Sequence, residues 1–175
     1  MTQIESGKLD LKKEIGDLDD LVKNINVVVD ATKNLLLNVL KHRPFLIKPN
    51  NHELEEIFNV KLNSNEDIAT YAKKLQELGA KNVLISMGGD GALLVTEDGK
   101  IYVSDVPKGE VINSVGAGDS MVAGFIGGYL KNNDYIDALK LGATCGSATA
   151  FSSDLATKEF IDSLTDQINV KEVTI

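Results

Sequence analysis

The spacing of apolar and polar positions changes several times along this chain, and each change marks an element. Asn26-Val27-Val28-Val29-Asp30 is short and β-branched, which predicts a buried strand ending in a carboxylate. Leu35, Leu36, Leu37, Val39 and Leu40 predict a buried helix over 34–40, stopped by Pro44. Phe45-Leu46-Ile47 reads as the next strand, leaving through Lys48-Pro49-Asn50, and a helix follows over about 52–58. Ile68, Tyr71, Ala72, Leu75 and Leu78 recur at helical spacing, with a capping-box pattern at Ser64 to Asp67 and a stop at Gly79. Strands are predicted at 83–86, 92–95 and 101–103, separated by turns at Gly88-Gly89-Asp90-Gly91 and Glu97-Asp98-Gly99. Val111-Ile112 reads as the end of a strand, before a glycine turn and a helix to about 130. Two more helices are predicted over 135–151 and 158–168. The charge-rich opening, Met1 to Asn24, reads as a loose helix interrupted by Gly7 and Gly16.

Strands alternating with helices predict an α/β fold, a mainly parallel sheet flanked by helices. Ligands of such sheets gather beyond the carboxyl ends of the strands. Lys48, Asn50, Ser86 to Gly91 and Gly116 to Asp119 all follow predicted strands, so one face of the sheet is expected to hold them.

Composition narrows the partners. The chain has 175 residues, 43% of them hydrophobic and 25% charged, enough for one globular domain with a core. Its net charge of −8, with Arg43 the single arginine, argues against nucleic acid and anionic membrane as partners. One cysteine, Cys145, allows no intrachain disulfide and fits a reducing compartment. No apolar run spans a bilayer, and the polar, acidic start is unlike a signal peptide, so a cytoplasmic location is expected.

The candidate chemistry sits in Gly116-Ala117-Gly118-Asp119. A glycine turn opening a helix aims unpaired N–H groups at one point, where the helix dipole adds positive charge; phosphoryl oxygens suit it. A carboxylate beside such a cradle suits a hydroxyl that must lose its proton while attacking phosphorus. On four residues alone, a tight turn with a favourable first-turn Asp explains as much, and the string is not a Walker A loop. Asn50-x-x-Glu53 has the spacing of a capping box, with Asn at the N-cap and Glu three residues on. Three glycines in Gly88-Gly89-Asp90-Gly91 exceed what one turn requires and allow a ligand close to the backbone. Gly124, Gly127 and Gly128, and the small residues over 142–148, read first as close helix packing.

The longer string from Asn113 to Phe125, Asn-Ser-Val-Gly-Ala-Gly-Asp-Ser-Met-Val-Ala-Gly-Phe, closely resembles the C-terminal signature of the ribokinase-like (PfkB) carbohydrate kinases. It is most similar to the sugar-phosphate branch, whose members act on fructose 1-phosphate or tagatose 6-phosphate. Lys48-Pro49-Asn50-Asn51-His52-Glu53-Leu54 is similar to the family's Asn-x-x-Glu segment. The resemblance runs from about 27 to 168. It implies ATP and Mg²⁺ as cofactors, a sugar-phosphate substrate and Asp119 as catalytic base. It implies an anion hole at Gly116, Ala117 and Gly118, and ATP contacts from Lys48, Asn50, Ser86, Gly88, Gly91 and Ser120. Glu53, with Asn50, would hold Mg²⁺ through water, and Cys145 would be a wall of the adenine pocket. Asn113 stands where ribokinases carry an Asp associated with a monovalent-cation site, which argues against potassium activation.

The resemblance also implies a division at about residue 25. Residues 1–25 match the pattern poorly, and 26–175 correspond to the C-terminal, nucleotide-binding part of the kinase domain. The N-terminal half and its β-sheet lid are then absent. On that expectation the chain would be a fragment, a truncated product or one of two polypeptides, and an open sheet edge would favour a homodimer or association through that edge. The implied reaction is ATP-dependent phosphorylation of fructose 1-phosphate. The alternatives are the tagatose 6-phosphate reaction and a non-catalytic nucleotide-binding module of the same fold.

Overall fold

The computed structural model describes residues 26–31 and 33–175; the helix expected over 1–24 lies outside the described residues. The elements run β1 Val28–Val29, α1 Lys33–Leu40, β2 Leu46–Ile47, α2 Asn51–Phe58, α3 Asn65–Glu77 and β3 Asn82–Ser86. A 3-10 turn at Gly88–Asp90 leads to β4 Ala92–Val95 and β5 Ile101–Ser104. Then come α4 Ala117–Asn132, α5 Tyr135–Ala150, α6 Lys158–Thr165 and β6 Val170–Val173. Among the described residues, no helix is long and apolar enough to cross a membrane.

Among the described residues, one six-stranded sheet, in the order β1-β2-β3-β4-β5-β6, separates two helical layers. Successive side chains of a strand point to opposite faces, so each strand feeds two cores. Ile47, Val83, Ile85, Leu93 and Val95 pack under α1, α2 and α3 with Leu36, Leu54 and Leu75. Leu46, Leu84, Ala92, Leu94 and Tyr102 pack on the other face with Phe125 of α4 and Leu139 of α5. The α/β class is as expected, but the sheet is mixed rather than mainly parallel. Only β1-β2 and β2-β3 are parallel; β3-β4, β4-β5 and β5-β6 are antiparallel. Short connections are the reason for β3-β4 and β4-β5, while β6 returns to the edge after three helices. The β4–β5 link closes within Thr96 to Lys100, where Thr96 N–H donates to the Lys100 carbonyl at 3.0 Å, and so short a link reverses the chain.

Two further expectations change. Val111 and Ile112 are not a strand end: both are exposed, and the Ile112 amide donates to the Ala150 carbonyl at 2.8 Å. β6 was not anticipated, because Val-Lys-Glu-Val does not alternate; its two central residues are exposed, as an edge strand allows.

α3 shows why the periodic segments were legible. Ile68, Ala69, Ala72 and Leu75 form its buried stripe, and the Ser64 hydroxyl caps the Asp67 amide. Its end needs Gly79, whose φ is +134° and whose missing Cβ leaves room for the Leu40 carbonyl. Asn82 pins the lower end of the sheet: its buried amide donates to the Phe45 carbonyl at 2.8 Å and accepts from the Glu97 amide at 2.9 Å.

Glycine governs the α4–α5 pair. A Cβ on Gly124 would lie 2.7 Å from the Leu141 carbonyl oxygen, and one on Gly128 2.8 Å from Ala138 Cα. From the other helix, a Cβ on Gly142 would lie 2.9 Å from the Met121 carbonyl oxygen. The two backbones therefore touch, as the small residues suggested, but Gly127 takes no part: a Cβ on it would meet nothing of the partner helix nearer than Leu141 Cδ2, at 4.0 Å. Gly128→Ala is expected to destabilise the chain by about 1–3 kcal/mol, the cost of overpacking against backbone that cannot move aside. Gly127→Ala is expected to stabilise it by about 0.5–1 kcal/mol through helix propensity. Urea midpoints of the two variants check both signs.

Candidate functional site

The site is assembled at the upper end of the sheet, where β1, β2, β3 and β5 finish and β4 begins. β2 leaves through Lys48-Pro49-Asn50. Asn50 forms a parallel bridge with Ser86, and the Ser86 amide donates to the Pro49 carbonyl at 3.3 Å, which brings the ends of β2 and β3 side by side. The turn after β3 needs glycine at position 91. There φ is +91°, and the Ser104 carbonyl occupies the space a side chain would take.

α4 arrives from the opposite side with its N-terminus over these strand ends. Gly116 is its N-cap, at φ 78°, with no side-chain cap bond. The Ala117 amide donates to the Ser114 carbonyl at 3.2 Å. Among the described residues, the amides of Gly116, Gly118 and Asp119 have no hydrogen-bond acceptor. They are the unpaired donors of a helix first turn, and they coincide with the positive end of the macrodipole. Of the expected anion hole, Gly116 and Gly118 have free amides, while the Ala117 amide is occupied within the loop.

Lys48 adds charge to this mouth. Its side chain is buried, its Nζ lies 3.3 Å from a carboxylate oxygen of Asp30, and it comes within 3.1 Å of where a Cβ on Gly118 would stand. A buried ammonium needs a paired charge, and Asp30 at the end of β1 supplies one. Asp119 follows on the first turn of α4, exposed to solvent.

Asn50 and Glu53 form the complete capping box of α2. The Asn50 side-chain oxygen accepts from the Glu53 amide at 2.8 Å, and a Glu53 carboxylate oxygen accepts from the Asn50 amide at 2.9 Å. That leaves one Glu53 oxygen unengaged among the described residues, enough for a bond to a water of a hydrated cation. No group of three or more His, Cys, Asp or Glu able to hold a metal occurs among the described residues. Such an arrangement would suit a Mg²⁺ that keeps its waters, contacted through them and not directly. Ser120 is placed elsewhere: its hydroxyl accepts from the Thr149 hydroxyl at 2.9 Å, and it does not line the cleft described next.

A cleft of about 420 Å³ opens beside the α4 mouth. Ser86, Gly88 and Gly91 form one wall, and Ala117 and Gly118 close one end. Ala143, Gly146, Ser147 and Ala150 of α5 form the opposite wall. A strap after β5, carrying Val106, Pro107, Gly109 and Val111, covers it, and the Phe151 ring presses against Gly109 where a Cβ would be. The size and apolar character suit a small-molecule site. The strap and Phe151 escaped the sequence reading; Pro107-x-Gly109 after a strand was the available signal. Cys145 does not line the cleft, contrary to expectation. Its sulfur turns into the α4–α5 seam, 2.8 Å from where a Cβ on Gly124 would be, and burial pushes its thiol up from the ordinary value. Asn113 ties its loop to the segment after α5: its side chain accepts from the Val115 amide at 3.0 Å and donates to the Ser153 carbonyl at 3.2 Å.

With this geometry in place, comparison with known proteins decides the family. The family model described as pfkB family carbohydrate kinase matches residues 12–159. The chain belongs to the pfkB family of carbohydrate kinases. The 1-phosphofructokinase of Bacillus subtilis is 49% identical over 148 residues, which is 85% of this chain and 48% of that protein. The D-tagatose-1-phosphate kinase of Bacillus licheniformis is 36% identical, over 83% of this chain and 48% of that protein. Among solved structures, phosphofructokinase-2 of Escherichia coli in complex with substrates and products superimposes with a TM-score of 0.74 at 26% identity, over 86% of this chain and 52% of that one. Arabidopsis thaliana ribokinase, complexed with ribose and ATP, shares the fold at a TM-score of 0.69 and 22% identity, over 81% of this chain and 47% of that one. The chain thus spans about half the length of the relatives it matches. Its ribokinase-like fold is the expected one.

Burial that raises a thiol leaves less of the reactive thiolate and shields the sulfur from reagent. Iodoacetamide should alkylate Cys145 at least about tenfold more slowly in the folded chain than in urea. Equal rates would mean the α4–α5 seam is open.

Proposed function

We propose that this chain supplies the nucleotide half of a kinase that phosphorylates a ketohexose 1-phosphate, with fructose 1-phosphate as the preferred substrate. The observation that carries the reading is the row of unpaired amides at the mouth of α4, beside Lys48 and Asp119. Support for the substrate comes from relatives named 1-phosphofructokinase at 49% and 33% identity. The D-tagatose-1-phosphate kinase relative supports a second sugar of the same class, with its phosphate at position 1 rather than 6.

On this reading ATP lies with its base in the cleft and its phosphates toward Ala117 and Gly118. The Gly116, Gly118 and Asp119 amides, together with the Lys48 ammonium, hold the charge that spreads over the transferred phosphoryl oxygens. Asp119 takes the proton from the attacking sugar hydroxyl. The hydroxyl oxygen bonds to the γ-phosphorus as the bond from phosphorus to the ADP oxygen breaks. Mg²⁺, when bound with the nucleotide, neutralises phosphate charge. Asn50 and Glu53 serve it from the end of α2 through water, and their capping box fixes the direction in which they present themselves.

Recognition of the sugar belongs to the part of the family domain outside this chain. Residues 26–175 form the nucleotide-binding part in this proposal. The rival reading, a non-catalytic nucleotide-binding module, is disfavoured by the presence of Asp119 beside the free amides. In the protein carrying the whole family domain, Asp119→Asn should lower turnover of fructose 1-phosphate by about 10²-fold or more, with little change in ATP affinity. Turnover within threefold of the unmodified enzyme, on this order-of-magnitude scale, would remove Asp119 from the mechanism.

A further inference from the structure

The cleft is unusual in what its walls lack. Among the described residues lining it there is no carboxylate, carboxamide, imidazole or charged side chain. Its polar side chains are the hydroxyls of Ser86, Ser114 and Ser147. A hydroxyl rotates and serves as donor or acceptor, so it satisfies either edge of a base without choosing between them.

Several wall carbonyls that might read a base already accept backbone amides. The Ala150 carbonyl accepts from the Ile112 and Asn113 amides at 2.8 and 3.1 Å. The Ser147 carbonyl accepts from the Phe151 amide at 3.0 Å, and the Ser114 carbonyl from the Ala117 amide at 3.2 Å. The Gly88 carbonyl accepts from the Gly91 amide at 3.2 Å. Apolar lining comes from Val106 and Pro107 on the strap, Met121 on α4, Ala143 and Gly146 on α5, and Phe151.

Strong discrimination between ligands arises where the wrong one leaves buried polar groups of the site unpaired; an apolar wall discriminates only weakly. We propose that this cleft selects a purine by shape and stacking, and accepts guanine and adenine nucleotides alike. The inference rests on the reading of the cleft as the base end of the nucleotide site, and it goes beyond that reading by naming the donor class as purine nucleotides. The walls that define it all belong to this chain, so the chain itself is the right test object.

Calorimetric titration of the 175-residue chain with ADP, GDP and CDP separates the outcomes. ADP and GDP are expected to bind with dissociation constants within about tenfold of each other, the limit for an apolar pocket facing a small added group. CDP is expected to bind at least about fivefold more weakly than ADP, because a single ring covers less of the apolar wall. A preference for ADP over GDP greater than about tenfold would overturn the inference and leave the kinase reading intact. CDP binding as tightly as ADP would also overturn it, since the phosphates alone would then be held. Failure of all three to bind would overturn both this inference and the nucleotide-site reading beneath it.

Discussion

Contact between the backbones of α4 and α5 is the constraint on which the site depends. Gly124 and Gly128 on one helix, and Gly142 on the other, each face main-chain atoms where a side chain would stand. Because the helices meet this closely, the N-terminus of α4 is carried over the strand ends and held there. Gly146 serves the packing and the cleft together. A Cβ on it would lie 3.1 Å from the Ala117 carbonyl oxygen, yet the same residue forms part of the cleft wall. Helix packing and ligand access are therefore one geometric arrangement.

Electrostatics follow from that placement. A chain of net charge −8 is a poor general attractor of polyphosphate. Here the positive potential is local and mostly carries no formal charge. Free amides at a helix mouth supply it, and the macrodipole reinforces it. The formal cation is Lys48, buried against Gly118 and balanced by Asp30. Fixed dipoles of this kind need no rearrangement when charge migrates, which is what phosphoryl transfer requires.

Much of this was legible from residue order, for physical reasons. α3 announced itself through Ile68, Ala72 and Leu75, because a two-core sheet demands a continuous apolar stripe from a covering helix. Gly79, Gly91 and Gly116 marked turns because their positive φ values exclude most other residues. The juxtaposition of Lys48, Ser86 and Gly118 was inferred from strand ends alone, and the fold brings them together. Other features left no local trace. Strand direction from β3 to β5 is set by short connections rather than by composition. β6 is a half-exposed edge whose partner, β5, lies some 65 residues earlier by the register Ser104 to Val170. The strap and Phe151 become cleft walls only through a long-range contact with Gly109. Cys145 and Gly127 were misplaced because helical residues next to one another in sequence face different neighbours, and only the crossing of α4 and α5 decides which.

The central claim is that the first-turn amides of α4 receive the nucleotide phosphates. Backbone ¹H–¹⁵N spectra recorded while ADP is titrated into the chain test it directly. The account predicts that the Gly116, Gly118 and Asp119 amide signals shift downfield and furthest, as N–H groups do on gaining an anionic acceptor. ADP binding that leaves these three signals in place while others move would contradict it.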